Sequence, residues 1–389
     1  MRFLIFYYLI VPVFVLVGGI YFVFTSLPPS SIVIEAGPAG GFFAQVAHRI
    51  AQGLKTHDIE ARVVHVDDTT NILSRVNTGG GTPAIGFSAQ NTDGVDTAAV
   101  SSLGAVALEP LFIFARRELR IGNIRELRGK KIAVGPVGSG TRALGEPILR
   151  LYGIDEANSG FVPIHVLDAA NALEEGRVDA ALFLLPAETP LIREIGRDPD
   201  FALVSLGEAA AIAKNITFLE NVAIPKGTFD LTRPLPGKNI EAVAVPVTVV
   251  MSDEAGVGLG TLVANILYEK YSGETALTNK HDLPRFYNED IPALAEAKEI
   301  YSGPLPSATK IFGIKYGLLI SYAAKPMIIF LVFAVLVLGT IITYVEIVPV
   351  LLSVRDVFQE KRVAREDKSA TKQADTAQPD RASDAAEGS

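Results

Sequence analysis

The chain has 389 residues, of which 49% are hydrophobic, and a mean hydropathy of +0.32, above ordinary soluble usage, as membrane segments would make it. The absence of cysteine excludes disulfides, thiolate metal sites, cysteine nucleophiles and a lipid-modified N-terminal Cys. A formal net charge of −8, with no basic cluster ahead of the tail, weighs against nucleic acid as a partner.

Residues 3–24 form an uncharged apolar stretch long enough for one tilted membrane helix. Arg2 precedes it and no basic residue follows closely, which places the N-terminus in the cytoplasm. The stretch exceeds a signal-peptide core and lacks an Ala-x-Ala site, so residues 1–30 read as an uncleaved anchor. Residues 326–352 form a second apolar run, and Arg355, Lys361, Arg362, Arg365 and Lys368 beyond it keep the tail inside as well. Residues 31–305 then become one extracytoplasmic domain, in the periplasm or outside a bacterial inner membrane, followed by a juxtamembrane linker at 306–325. The tail, 353–389, is polar without an apolar period from about Glu366 and reads as disordered.

Between the spans, strands alternate with helices. Residues 31–35 predict a strand, 42–54 a helix, 61–66 a strand, 71–76 a helix and 83–87 a strand. Residues 111–115 read as a crossover strand. The pattern then restarts, with strands at 131–134, 160–166 and 179–184 and helices at 142–152 and 169–175. Later come a strand over 243–250 and a helix over 258–271. Two successive β-α-β-α-β units imply an α/β fold of two parallel-sheet lobes, with ligands at the carboxyl ends of the strands. Lobe 1 is expected at 31–115 and 217–305, lobe 2 at 116–216.

Two strand–helix junctions carry the binding signal. Gly37-Pro-Ala-Gly-Gly-Phe-Phe43 and Gly135-Pro-Val-Gly-Ser-Gly-Thr-Arg142 each set thin residues and unpaired backbone N–H groups at a helix start, a suitable place for an anion. Ligand contacts are expected from Gly40, Gly41, Phe42 and Phe43 on one side and from Gly138, Ser139, Gly140, Thr141 and Arg142 on the other. Of the two phenylalanines, one ring is expected to face the core. Asn71, Ser88, Gln90, Asn91 and Glu188 lie at strand or loop ends where polar side chains could fix an amine or hydroxyl.

Other chemistries fit less well. Gly138-Ser-Gly-Thr-Arg-Ala143 satisfies G-x-G-x-x-A, but no acidic residue ends the next strand at the dinucleotide distance, Asp168 being the nearest. As a phosphate loop the stretch has Thr141 where lysine is required. Gly86-Phe-Ser88-Ala-Gln90 lacks the closing glycine of a nucleophile elbow. The five histidines form no ligand set, so neither metal, cofactor nor catalysis is expected, with Glu188 the one general acid or base an enzyme could use here.

The order of motifs resembles the solute-binding subunit of TAXI-type tripartite ATP-independent periplasmic (TRAP) transporters over about 32–305. It is carried by Ala36-Gly-Pro-Ala-Gly-Gly-Phe-Phe43, Thr70-Asn-Ile-Leu73, Ile85-Gly-Phe-Ser-Ala-Gln90, the block from Leu127 to Arg142, Gly176-Arg-Val-Asp-Ala-Ala181 and Ile224-Pro-Lys-Gly227. The resemblance implies a two-lobed type 2 periplasmic binding fold closing on a small organic anion, glutamate-like or a dicarboxylate, or an amino acid, and a membrane permease as partner. A membrane-anchored sensor or scaffold reusing that fold is the alternative. Phe42-Phe43 and Ala44 stand where the family usually has tyrosines, and Val66-Asp-Asp-Thr-Thr70 adds negative charge where it has Gly-Gly-Ser, which disfavours a doubly anionic ligand or recruits a cationic group.

Overall fold

The computed structural model describes residues 17–18, 27–78, 82–89, 95–287, 290–318, 320–321 and 325–376. The chain divides into two compact units, residues 21–324 and residues 1–20 with 325–389.

In the first unit, β1 (Ser31–Ala36), α1 (Phe42–Lys55), β2 (Glu60–His65), α2 (Ile72–Thr78) and β3 (Ile85–Ser88) lead into the long β4 (Val100–Arg116). Then follow β5 (Lys131–Ala133), α3 (Gly140–Leu151), β6 (Gly160–Val162), α4 (Val166–Glu174), β7 (Ala180–Leu184) and α5 (Pro190–Arg197). The chain returns through β8 (Phe201–Leu203), α6 (Ala209–Asn215), β9 (Glu220–Ile224) and the long β10 (Ile240–Ser252) to α7 (Val257–Tyr271), α8 (Ala295–Ser302) and α9 (Ala308–Leu318). Val46, Ala47, Ile50 and Leu54 recur at helical spacing on α1 and are buried, which lays that helix on the sheet.

The strands run in the order β2-β1-β3-β10-β4-β7-β5-β6, with β8 on β4 and β9 on β10. β1 pairs in parallel with β2 and β3, and β5 with β6 and β7, so the two β-α-β-α-β units form two lobes as expected. β4 and β10 run antiparallel from Ala244 opposite Pro110 to Ser252 opposite Val100, with register shifts on either side of Thr248. They form a ribbon that crosses from one lobe to the other. Leu111 and Ile113 of β4 pack into one core cluster and Phe112 and Phe114 into another, so this end of the strand is buried on both faces and reads as an unbroken apolar run.

Three boundaries differ from expectation. Residues 217–245, expected in lobe 1, pack in lobe 2: β9 pairs with Ile240–Ala244, Leu219, Val243 and Val245 join Leu206 and Ile212, and Ile224, Phe229 and Ile240 join Phe183 and Ile195. The strand expected over 160–166 stops at Val162, and α4 begins at Val166. The expected linker is partly domain, because α9 buries Leu318 in the lobe 1 core and the Lys315 ammonium donates to the His57 carbonyl at 2.7 Å.

In the second unit, α10 (Lys325–Thr376) is 52 residues long. It holds the one helix, among the described residues, long and apolar enough to cross a membrane by length and composition. The expected span at 3–24 lies outside the described residues apart from Val17 and Gly18. Disorder from Glu366 is corrected as far as Thr376: Ala, Glu, Lys, Arg and Gln are good helix formers and extend an existing helix without a new nucleation cost, and Arg362 Nε pairs with Glu366 Oε1 at 3.2 Å. Residues 377–389 lie outside the described residues.

Candidate functional site between the lobes

Each of β1, β5, β6 and β7 runs at its carboxyl end into a turn and a helix, α1, α3, α4 and α5, and the first residues of all four helices border one cleft of about 440 Å³. This is where open α/β sheets place their ligands. The walls are largely apolar, with Phe42, Phe43, Ile164, Val166, Leu182, Leu184, Leu185 and Leu191, and the polar lining includes Asp67, Thr69, Glu109, Ser139, Thr141, His165 and Asp168.

The lobe 2 turn is built around two glycines in the left-handed region, Gly135 at φ +85° and Gly138 at φ +83°. A Cβ on Gly135 would stand 2.7 Å from Ser139 Oγ, so the residue is required by space as well as by backbone. Ser139 caps α3: its Oγ accepts from the Arg142 N–H at 3.3 Å and donates to the Pro136 carbonyl at 2.7 Å. In lobe 1 the cap of α1 is Gly41, which supplies no side-chain acceptor, and the first-turn N–H groups are left for a ligand or solvent.

The expected site residues separate into three groups. Gly40, Gly41, Phe42, Phe43, Ser139, Gly140 and Thr141 line the cleft. Both phenylalanines do so while also packing: Phe43 stacks on Phe87 with ring centres 5.0 Å apart, and Phe42 touches the cores of both lobes. Gln90 and Asn91 lie outside the described residues.

The third group is diverted. Asn71 donates its amide to Asp68 Oδ2 at 2.6 Å and Ser88 is buried at the end of β3. Arg142 is paired with Glu146 and Glu156, each at 2.9 Å. None of the three lines the cleft. Gly138 and Glu188 do not line it either, but both hold the lobes together. The Gly138 carbonyl accepts from the Thr69 N–H of lobe 1 at 3.1 Å, and Glu188 Oε1 accepts from the Ala276 N–H at 2.6 Å, in the loop after α7. The Thr69 side of this contact is braced: hydrogen bonds from Asn71 and Thr70 hold the Asp68 carboxyl below its usual range, and Arg75 joins the Asp68 carbonyl at 2.9 Å while pairing with Glu35.

Sequence reasoning missed Glu109. It sits within β4 opposite Val245, is 4% exposed and lines the cleft, and burial pushes its carboxyl up to about 8. The available signal was a lone acid inside the apolar run Val100–Arg116, where a charge is out of place unless it has work to do.

Several solved structures are similar to this chain in part. The alkanesulfonate-binding protein SsuA from Xanthomonas axonopodis pv. citri, bound to MOPS, is 17% identical, with 62% of this chain and 73% of that one covered and a TM-score of 0.40. For the aliphatic sulphonate binding protein SsuA from Escherichia coli the figures are 14%, 62%, 72% and 0.39. For an ancestral arginine-binding protein bound to arginine they are 13%, 63%, 99% and 0.40. The sequence match is with a family: residues 34–290, which carry both glycine turns and the crossing ribbon, match the NMT1-like family, and the chain belongs to it.

Proposed function

We propose that this chain is a membrane-anchored extracytoplasmic solute-binding protein that captures a small carboxylate-bearing solute between its lobes and presents it to a TRAP-type permease. The observation that carries the reading is the convergence of four helix N-termini from two lobes on one largely apolar cleft of about 440 Å³, a size suited to a small organic molecule. The carboxylate takes the uncapped first turn of α1 and the start of α3, where backbone donors and helix dipoles favour negative charge. Asp67 and Asp168 on the walls, with no Lys or Arg among the lining residues, weigh against a second carboxylate on the solute. No covalent chemistry is assigned, and Glu188, the enzyme candidate, is engaged with the Ala276 N–H away from the cleft.

In this reading both termini are cytoplasmic, the domain stands outside the bacterial inner membrane, and anchoring raises its effective concentration near the permease. Calorimetry of the full-length chain in detergent against a panel of organic acids and amino acids tests it. Binding by at least one carboxylate solute is expected, and silence across the panel from a cooperatively melting protein would sink the reading. A sensor is the second reading, favoured by the continuation of α10 past its apolar part as a helix to Thr376, charged and exposed as far as Ala370. In-cell crosslinking from that segment would separate the two, a permease adduct supporting transport and a kinase adduct sensing.

A further inference from the structure

Glu109 is left over when the helix N-termini are given a carboxylate. It lies on the ribbon where β4 passes between lobes, borders the cleft, and is more than nine-tenths buried. Among the described residues, no hydrogen bond or ion pair reaches its carboxyl, and burial alone accounts for its raised pKa. The other titratable groups lining the cleft are Asp67, His165 and Asp168, and no lysine or arginine lines it. No lysine or arginine supplies a fixed cation there, and a carboxyl desolvated without one stays neutral. A bound ammonium would supply the missing charge, and the carboxyl would then ionise and lose its proton to solvent.

The apolar part of the wall sets the body of the solute. Phe42, Phe43, Leu184 and Leu191 offer no hydrogen bond to a polar side chain. We propose that the solute carries a protonated amine on an apolar body and seats that ammonium on Glu109, with its carboxylate at the helix N-termini: an α-amino acid with an apolar side chain. The proposal rests on the solute-capture reading above and narrows it.

The test is calorimetry on the full-length chain in detergent, with leucine and phenylalanine, their deaminated analogues 4-methylpentanoate and 3-phenylpropanoate, the amines isoamylamine and phenethylamine, and succinate. At least one amino acid is expected to bind ten-fold or more tightly than its deaminated analogue and than succinate. Glu109→Gln, which keeps size and shape, is expected to remove that ten-fold preference, and Glu109→Asp, which keeps the charge, to restore part of it, each variant first shown to melt cooperatively. Deaminated acids binding as tightly as the amino acids, or a preference unchanged in Glu109→Gln, would overturn the ammonium seat and leave solute capture standing. Amines binding as tightly as the amino acids would support the seat and remove the carboxylate from the helix termini. Silence in every arm would overturn both readings.

Discussion

The two glycine turns at the cleft share a strand–turn–helix plan and differ in how much of it is already satisfied. In lobe 2, Ser139 caps α3 and the turn is crowded around Gly135; in lobe 1, Gly41 caps α1 without a side chain, and a Cβ on Gly40, at the same φ of +85°, would meet nothing within 4 Å. Equal glycine content therefore hides unequal roles. One turn is a packed corner whose cap is supplied by its own serine, and the other is an open set of donors whose partner has to come from elsewhere.

The largest effect expected lies on the floor between the turns. Glu109 keeps its proton in the folded, empty protein up to about pH 8, whereas its ordinary value is 4.5. Stability from this group is fully present below about pH 4.5 and is lost as pH rises toward 8, by on the order of 4 kcal/mol. Denaturant melts at several pH values should show that decline, and Glu109→Gln should flatten it; an unchanged slope would mean that the floor is already ionised and paired, which leaves the open turn as the part of the site still awaiting a partner.

The contrast between the turns is tested directly by two alanine substitutions. Gly135→Ala, forced against Ser139 Oγ at positive φ, should cost about 2–4 kcal/mol, and Gly40→Ala, with the φ strain alone, about 1 kcal/mol. Equal costs in denaturant melts would abolish the distinction. Ser139→Ala removes the cap of α3 and should cost about 1 kcal/mol, whereas the α1 turn has no such bond to lose. The smallest change is expected from Glu188→Ala, which deletes one side-chain bond to the Ala276 N–H and should cost about 1 kcal/mol or less. It should also increase the radius of gyration measured by small-angle scattering without solute, and an unchanged radius would show that this contact does not hold the lobes.

What could be read from the chain was local. The restart of the pattern at Lys131, the small-residue turn and the helix behind it are written in consecutive residues, and they appear in place as β5, the Gly135 turn and α3. The lobe that owns residues 217–245 depends on β9 finding β10 across a loop and on Phe229 reaching Phe112 at a ring distance of 6.3 Å, pairings that periodicity does not encode. Glu188 stands at a strand end, as ligand residues do, and only the position of the loop after α7 turns it into a contact between lobes. Glu109 is hidden for the opposite reason: the sequence pattern marks a strand only from Leu111, so the residue falls just outside the stretch it signals, although β4 begins at Val100 and buries it.

The ribbon of β4 and β10 has a mechanical consequence. Because both covalent crossings between the lobes belong to one antiparallel pair, 17 and 13 residues long, any change in the angle between the lobes has to be taken up as twist along that pair, distributed over several residues as strand twist is. The register shifts beside Thr248 and the left-handed Gly104, at φ +91°, are where such a torsion bar is softest. Substitutions there should reset the resting angle of an empty cleft without touching any wall of it, which separates the stiffness of the molecule from the chemistry it encloses.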